Sequence, residues 1–482
     1  MKNLIGLYVL IIILSGCGRG ENINRTLPII DWMDYGTVEM PWEIPQTNIR
    51  VLIGTSNFMG LVHESIEITC AGAFTVRDGE SAVYFRAGEI FQITSEEIDR
   101  YYIEPVNPYE RLEIIGLERN RADGENPRYR GIIEISRSSD GFIIVNELTI
   151  EEYLYAVIPS EMPSSFGVEA SMVQAVTART FAYHQIRENR FSEFGAHVDD
   201  SVMSQVYNNL PENEISIEAV RATRGQVLTY EGEIILANYF STSGGTTANF
   251  GEVWALGEQF PTHTPDFLRA QAQFISHSPG NLRTEEAAAA FFRNTEIPAF
   301  DRDFPWFRWH VTMTMEELSE RINQSLAERQ AVNPALIHVL NENGEATSAP
   351  AESIGMLRDI EVTRRGQGGN IMEIIFYGTQ ASVRVQTEFN IRALLNPREI
   401  PVTRHDGSQS GTLSLLPSAF FTIVFHNNAF TNELQAVTFF GGGNGHGVGM
   451  SQNGVRALLD MRLTYIEILR HYYPGVEISN IF

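Results

Sequence analysis

From Thr47 to about Asn146, apolar residues come in short alternating stretches: IRVLIG, IEITC, FTVRDG, AVYFRAG and EIFQIT, broken by Gly and Asp. A period of two predicts an antiparallel β-rich region over 47–148. Gly131 to Leu148 predicts a hairpin that turns at Ser139-Asp140-Gly141. The period lengthens from Ile150 to Asn189, which predicts a helical segment. A mixed stretch follows to about Gln273, and helical and extended pieces alternate from Thr284 to Gln330. Asn341 to Ser353 is polar and reads as a surface loop. From Ile360 onward strands return in DIEVTRRG, IMEIIFYG, ASVRVQ and FFTIVFHN. The class predicted is α+β, β-rich, with a central helical segment and flanking antiparallel β regions.

One stretch breaks this alternation. Between Gly441 and Gly449 there are six glycines around a lone histidine, His446. Ala436 to Gly441 reads as a strand before it. Met450 to Met461 reads as a helix after it, with Val455, Leu458 and Leu459 on the apolar side. The segment lacks both the Rossmann and the P-loop fingerprints. Two readings stand: backbone shaped around a ligand, with an anion site at the helix start and His446 as a candidate catalyst, or a glycine-rich corner of a β-rich domain.

The first residues follow another logic. Lys2 precedes an apolar run, Leu4 to Leu14, too short to span a bilayer but suited to a signal peptide. Leu14-Ser15-Gly16-Cys17 resembles the bacterial lipobox, which implies cleavage after residue 16 and acylation of Cys17. A polar, Pro-containing stretch over 17–46 then reads as a lipidated tether. The implied location is the cell envelope, outside the cytoplasm and anchored to a membrane. The other cysteine, Cys70, is expected to be a buried apolar side chain. The formal net charge of −25 argues against nucleic acid and anionic lipid headgroups as partners.

The densest candidate chemistry lies in Val157 to Tyr183. Glu161 sits between Ile158-Pro159 and Met162-Pro163, with Phe166 nearby. A carboxyl in apolar surroundings keeps its proton to higher pH, as a general acid must. A helix expected to start near Ser165 opposes this, since a helix N-terminus favours the charged form. Glu161 thus reads as a general acid or as a helix cap. Arg179, on that helix, reads as a carboxylate ligand or as half of an internal ion pair with Glu169.

This segment resembles the signature of the SpoIID/LytB family, named for stage II sporulation protein D. Glu161, Met162, Pro163, Glu169, Ala170, Gln174, Ala175, Val176, Ala178, Arg179 and Thr180 match in order. Gly445 to Gly454 resembles the family's GHGVGMSQYGA block, with Asn453 in place of tyrosine. Ser204 to Tyr207 resembles SQVY, Ser241 to Gly245 with Glu252-Val253-Trp254 resembles HSTxGGxT…EVW, and His471 to Gly475 resembles HYYPG.

The resemblance implies a peptidoglycan lytic transglycosylase over 149–482, with inserted segments at about 284–353. It acts on glycan strands stripped of their stem peptides, and a cell-wall amidase is a possible partner. Glu161 would be the catalytic acid, and no cofactor is implied. Beside it, Arg179, Gln205, Tyr207, Ser243, His446, Ser451 and Gln452 read either as substrate-binding residues of a sugar groove, His446 as a positioning residue, or as structural residues of the fold. Some members carry a zinc site that uses the His and Cys of an HSTCGG block. Phe240 and Ser243 stand at those positions here, so no metal is expected. Two further readings are a non-catalytic glycan-binding or scaffolding lipoprotein, and a hydrolase pairing Glu161 with Asp199 or Asp200.

Overall fold

A computed structural model describes residues 47–79, 81–93, 99–119, 121, 124–274 and 279–481. The signal peptide, the tether and Cys17 lie outside the described residues. The chain forms two compact units. Among the described residues, one holds 47–237 with 464–469 and 476–481, and the other holds 238–463 with 470–475. The architecture is mixed α+β with mostly antiparallel sheets, as the patterning predicts.

In the first unit, a seven-stranded sheet takes its strands in the order Val198–Asp199, Asn48–Ile53, Gly141–Thr149, Ile132–Ser138, Arg100–Pro105, Phe74–Asp78 and Ser81–Phe85. The predicted hairpin is present: Gly141 pairs with Ser138 across a two-residue turn. Its second strand runs directly into helix α1, Ile150–Glu161. Thr149 caps that helix. Its hydroxyl accepts the Glu152 N–H and the Glu152 carboxylate accepts the Thr149 N–H, the reciprocal box that T-x-x-E encodes.

A short 3₁₀ turn, Ser164–Phe166, leads to helix α2, Val168–Glu188. Its start is three residues later than expected. Gly167 adopts φ +92 at the junction, a backbone conformation that costs glycine little. From Ala170 to Gln185 α2 is buried on nearly every side, because α1, helix α3 (Glu214–Ala222) and the strand Gln226–Tyr230 all pack on it. Tyr153, Leu154, Val157, Ala175, Ala178, Ala182 and Val227 share one core with Cys70, which is buried as expected.

The second unit contains two main sheets. Trp309–Thr314 lies between Thr403–Arg404 and Leu434–Gly441, with Phe421–Asn427 beyond. The other sheet orders Ala346–Thr347, Ile337–Leu340, Ser382–Gln386, Ile371–Gly378 and Leu357–Arg365. Helix Met315–Val332 packs Leu318, Ile322 and Leu326 into their shared core. The polar stretch expected to be a loop contributes Ala346–Thr347 to a sheet edge. No described helix is long and apolar enough to cross a membrane.

Candidate active site

Glu161 is the last residue of α1 and is partly exposed. The expected placement at a helix start is therefore reversed: the carboxylate stands at a helix end, where the macrodipole opposes negative charge. The Val206 N–H donates to Glu161 Oε1 at 2.8 Å. That donor belongs to the Ser204–Tyr207 motif, and its neighbours hold it in place. The Tyr207 hydroxyl donates to Asn146 Oδ1 at 2.9 Å, and its ring packs 5.0 Å from that of Tyr153. Gln205 accepts from the Tyr153 hydroxyl at 3.3 Å and donates to the Ala178 carbonyl at 3.4 Å. Ser204 donates to Asp199.

Gln205 and Tyr207 were expected to line a sugar groove, but both are buried within this unit. Their side chains anchor the segment so that the peptide between them points at Glu161. The sequence carried no signal for that N–H, since 45 residues separate the partners.

Arg179 is also buried. Its Nε and Nη2 grip both oxygens of Glu151 at 2.8 Å, and Nη1 donates to the Gln226 carbonyl at 3.2 Å. The internal ion pair is what forms, with Glu151 rather than Glu169. Asp199 accepts from the Ser201 and Ser204 hydroxyls. Asp200 pairs with Arg119 and accepts the Gly54 N–H at 3.1 Å. Burial pushes the Asp200 carboxyl up to about 6, against the pull of Arg119. Both aspartates are thus engaged in holding loops of this unit.

The glycine-rich segment belongs to the second unit. The His446 ring is bound by backbone at both nitrogens: Nδ1 accepts the Val448 N–H at 3.1 Å and Nε2 lies 3.0 Å from the Tyr239 carbonyl. This pattern fixes the neutral Nε2–H tautomer. Burial, together with the Arg392 charge, pushes His446 down to about 3, although the Tyr239 carbonyl favours the cation. A ring with both nitrogens occupied is a scaffold and not a base.

Ser451 is the cap of helix Gln452–Asp460, accepting the Gly454 N–H at 3.3 Å. This cap starts the helix at Gln452, two residues after the expected Met450. The Ser451 hydroxyl donates to Asp301, and the Ser243 N–H donates to the same carboxylate at 2.9 Å. Ser243 and Ser451 are fully buried and Gln452 nearly so, so the structure places these expected substrate ligands within the unit. Asp301, unremarked in the sequence, joins two of the motif blocks. Burial pushes its carboxyl up to about 7, against the pull of Ser451, Ser243 and Gly454.

Asp301 and His446 make opposite contributions to pH-dependent stability. Asp301 keeps its proton when folded, so its contribution is full below the unfolded value of about 4 and is lost as pH rises toward 7. His446 stays neutral when folded, so its contribution is lost as pH falls from 6.5 toward 3. Across pH 4 to 6.5 the two slopes oppose each other. Asp301→Asn is expected to remove one of them. The urea midpoint of the variant should then rise with pH across this window more steeply than that of the parent.

Comparison with known proteins adds to this geometry. Residues 138–230 match the family described as Stage II sporulation protein (SpoIID), and residues 328–449 match a domain of unknown function, DUF8618. The chain is 27% identical over 334 residues to the amidase enhancer of Bacillus subtilis, a match covering 68% of this chain and 40% of that protein. It is 25% identical over 350 residues to stage II sporulation protein D of Bacillus amyloliquefaciens, covering 70% of this chain and 75% of that protein. An uncharacterized protein of Brachyspira hyodysenteriae is 27% identical over 351 residues, covering 73% of this chain and 72% of that protein.

Proposed function

We propose that the protein cleaves peptidoglycan glycan strands with Glu161 as acid and base, a reading supported by the match of residues 138–230 to the SpoIID family. The observation that supports this reading is the Glu161 carboxyl at the end of α1, partly exposed and oriented by the Val206 N–H. Glu161 donates its proton to the glycosidic oxygen between N-acetylmuramic acid and N-acetylglucosamine. Positive charge develops at the muramic C1, as in glycoside hydrolysis. The C6 hydroxyl of the same sugar attacks C1 and returns its proton to the Glu161 carboxylate. The product is a 1,6-anhydromuramyl end, and the residue is regenerated. Attack from within the sugar needs neither a bound water nor a second carboxylate.

Arg179 contributes by fixing α2 against α1 through Glu151. The substrate is peptide-stripped glycan, and acylated Cys17 tethers the protein at the cell envelope. A second reading, an accessory role beside an amidase, is favoured by the similarity to the amidase enhancer of Bacillus subtilis.

Mass spectrometry of glycan strands after incubation with the wild-type protein tests the proposal. Anhydromuramyl ends are expected. Reducing ends carrying solvent oxygen would point to a hydrolase, and binding without cleavage to the accessory role.

A further inference from the structure

In the seven-stranded sheet of the first unit, Ser81–Phe85 is the last strand. It pairs with Phe74–Asp78 on one side and with no described strand on the other. We propose that this edge is a homodimer interface, where the strand pairs antiparallel with the same strand of a second copy of the chain. The proposal is independent of the glycan reading.

The edge lacks the features that keep a strand unpaired. Ser81–Phe85 carries no charge and no proline, and it runs in unbroken register with its neighbour. The edge strand Leu357–Arg365 of the other unit shows the contrast. Arg358, Asp359, Glu361, Arg364 and Arg365 lie along it, and its register shifts between Leu357 and Asp359 and again between Val362 and Arg364. Charges and bulges of that kind block edge-to-edge pairing.

The core layer also stops one strand short. Val83 pairs with Val76 and Phe85 with Phe74, so these four side chains share a face. Val76 and Phe74 are buried and Phe85 stacks on Phe74 at 4.8 Å, yet Val83 is 57% exposed. Tyr84, on the other face, is exposed too. The chain then runs into Ile90–Gln92, an edge strand of a second sheet, where Ile90 is exposed. Apolar side chains thus lie uncovered along two consecutive open edges. Residues 81–92 hold one basic and one acidic residue, Arg86 and Glu89. On a chain of net charge −25 this rim is locally neutral, so two copies can meet across it without like-charge repulsion.

The backbone selects the occupant. The Val106 N–H donates to the Ala73 carbonyl at 2.9 Å, which makes these two residues a hydrogen-bonded pair. Bonded pairs alternate along an antiparallel ladder. Residues 75 and 77 therefore direct their N–H and C=O groups at Arg100–Pro105, and residues 74, 76 and 78 direct theirs at Ser81–Phe85. It follows that Ser81, Val83 and Phe85 bond inward, while Ala82 and Tyr84 turn their N–H and C=O groups to the open edge. A two-fold axis at Val83 sets Ala82 of each copy against Tyr84 of the other, and every group turned outward finds a partner. The large tyrosine lies beside the small alanine. Val83 of one copy meets Val83 of the other and closes the gap in the core face. The two seven-stranded sheets become continuous.

Five residues from each copy fall well below the ~20–30 that a stable complex brings to its interface. The dimer is therefore weak and its population depends on concentration. Sedimentation of the full chain is expected to shift from monomer toward dimer between ~10 µM and ~1 mM, the range of an interface below standard size. Val83→Lys sets like charges face to face on the axis. It should weaken association about tenfold or more while circular dichroism stays that of the wild type. In a Cys17→Ala background, Val83→Cys should oxidise to a covalent dimer. Directly opposite residues of a non-bonded pair lie ~4.5 Å apart at Cα, within disulfide reach. Val202→Cys, at a more exposed position of the same unit, should not cross-link. The proposal is overturned if the chain stays monomeric across that range, if Val83→Lys associates as the parent does, or if Val83→Cys cross-links no faster than Val202→Cys.

Discussion

Glu161→Gln is expected to lower the rate of glycan cleavage by ~10²–10⁴-fold, the usual contribution of a positioned general acid. Glutamine keeps the length of the side chain and an oxygen able to accept the Val206 N–H, so the local geometry is retained. It cannot donate a proton to a leaving oxygen. The substitution thus separates proton transfer from architecture. Anhydromuramyl ends counted on peptide-stripped strands are the readout, with circular dichroism and a melting temperature to show that the fold persists. A variant that cuts at the wild-type rate would remove Glu161 from the mechanism.

Arg179→Ala should produce the largest loss of stability, about 3–5 kcal/mol, because it strands the Glu151 carboxylate in a largely buried place. The cost comes from the orphaned charge more than from the lost attraction. Arg179→Lys should recover only part of it, since an ammonium cannot make the two parallel bonds that the guanidinium makes. The double variant Arg179→Met, Glu151→Leu should recover more than half, as no charge is left behind. Urea unfolding midpoints measure all three. If Arg179→Ala melts like wild type and only binds glycan more weakly, the residue serves the ligand and not the fold.

Much of the architecture was legible because it is local. The T-x-x-E sequence at Thr149–Glu152 encodes a cap made within one turn. Alternation in IMEIIFYG and ASVRVQ encodes strands whose faces are set by period two. The break between α1 and α2 was harder. Apolar periodicity runs through it, while Pro163 and the positive φ of Gly167 decide where the second helix begins.

The candidate site was legible as a set of motifs but not as a set of contacts. Glu161 could be singled out by its setting. Its bond from Val206 could not, because backbone donors carry no residue signature. Gln205, Tyr207, Ser243 and Ser451 resemble sugar ligands by type, and each spends its polar atoms inside its own unit. Asp301 lies in a stretch with mixed patterning, and only the fold brings it to Ser243 and Ser451.

The strand Glu477–Asn480 pairs with Gln226–Tyr230, so the unit that begins near residue 47 is completed by some of the last residues described. Between Ala237 and Glu477 lie some 240 residues, most of which build the other unit. At a synthesis rate of ~5–20 residues per second, the earlier unit waits roughly 10–50 s for its closing strand. Both units therefore wait for the last stretch of the chain, residues 464–475 and those after them, before they are complete. Until Val476 and the residues after it arrive, the Gln226–Tyr230 edge stays open to any strand that reaches it, and a chain stopped short of them would be a target for proteolysis or misassembly.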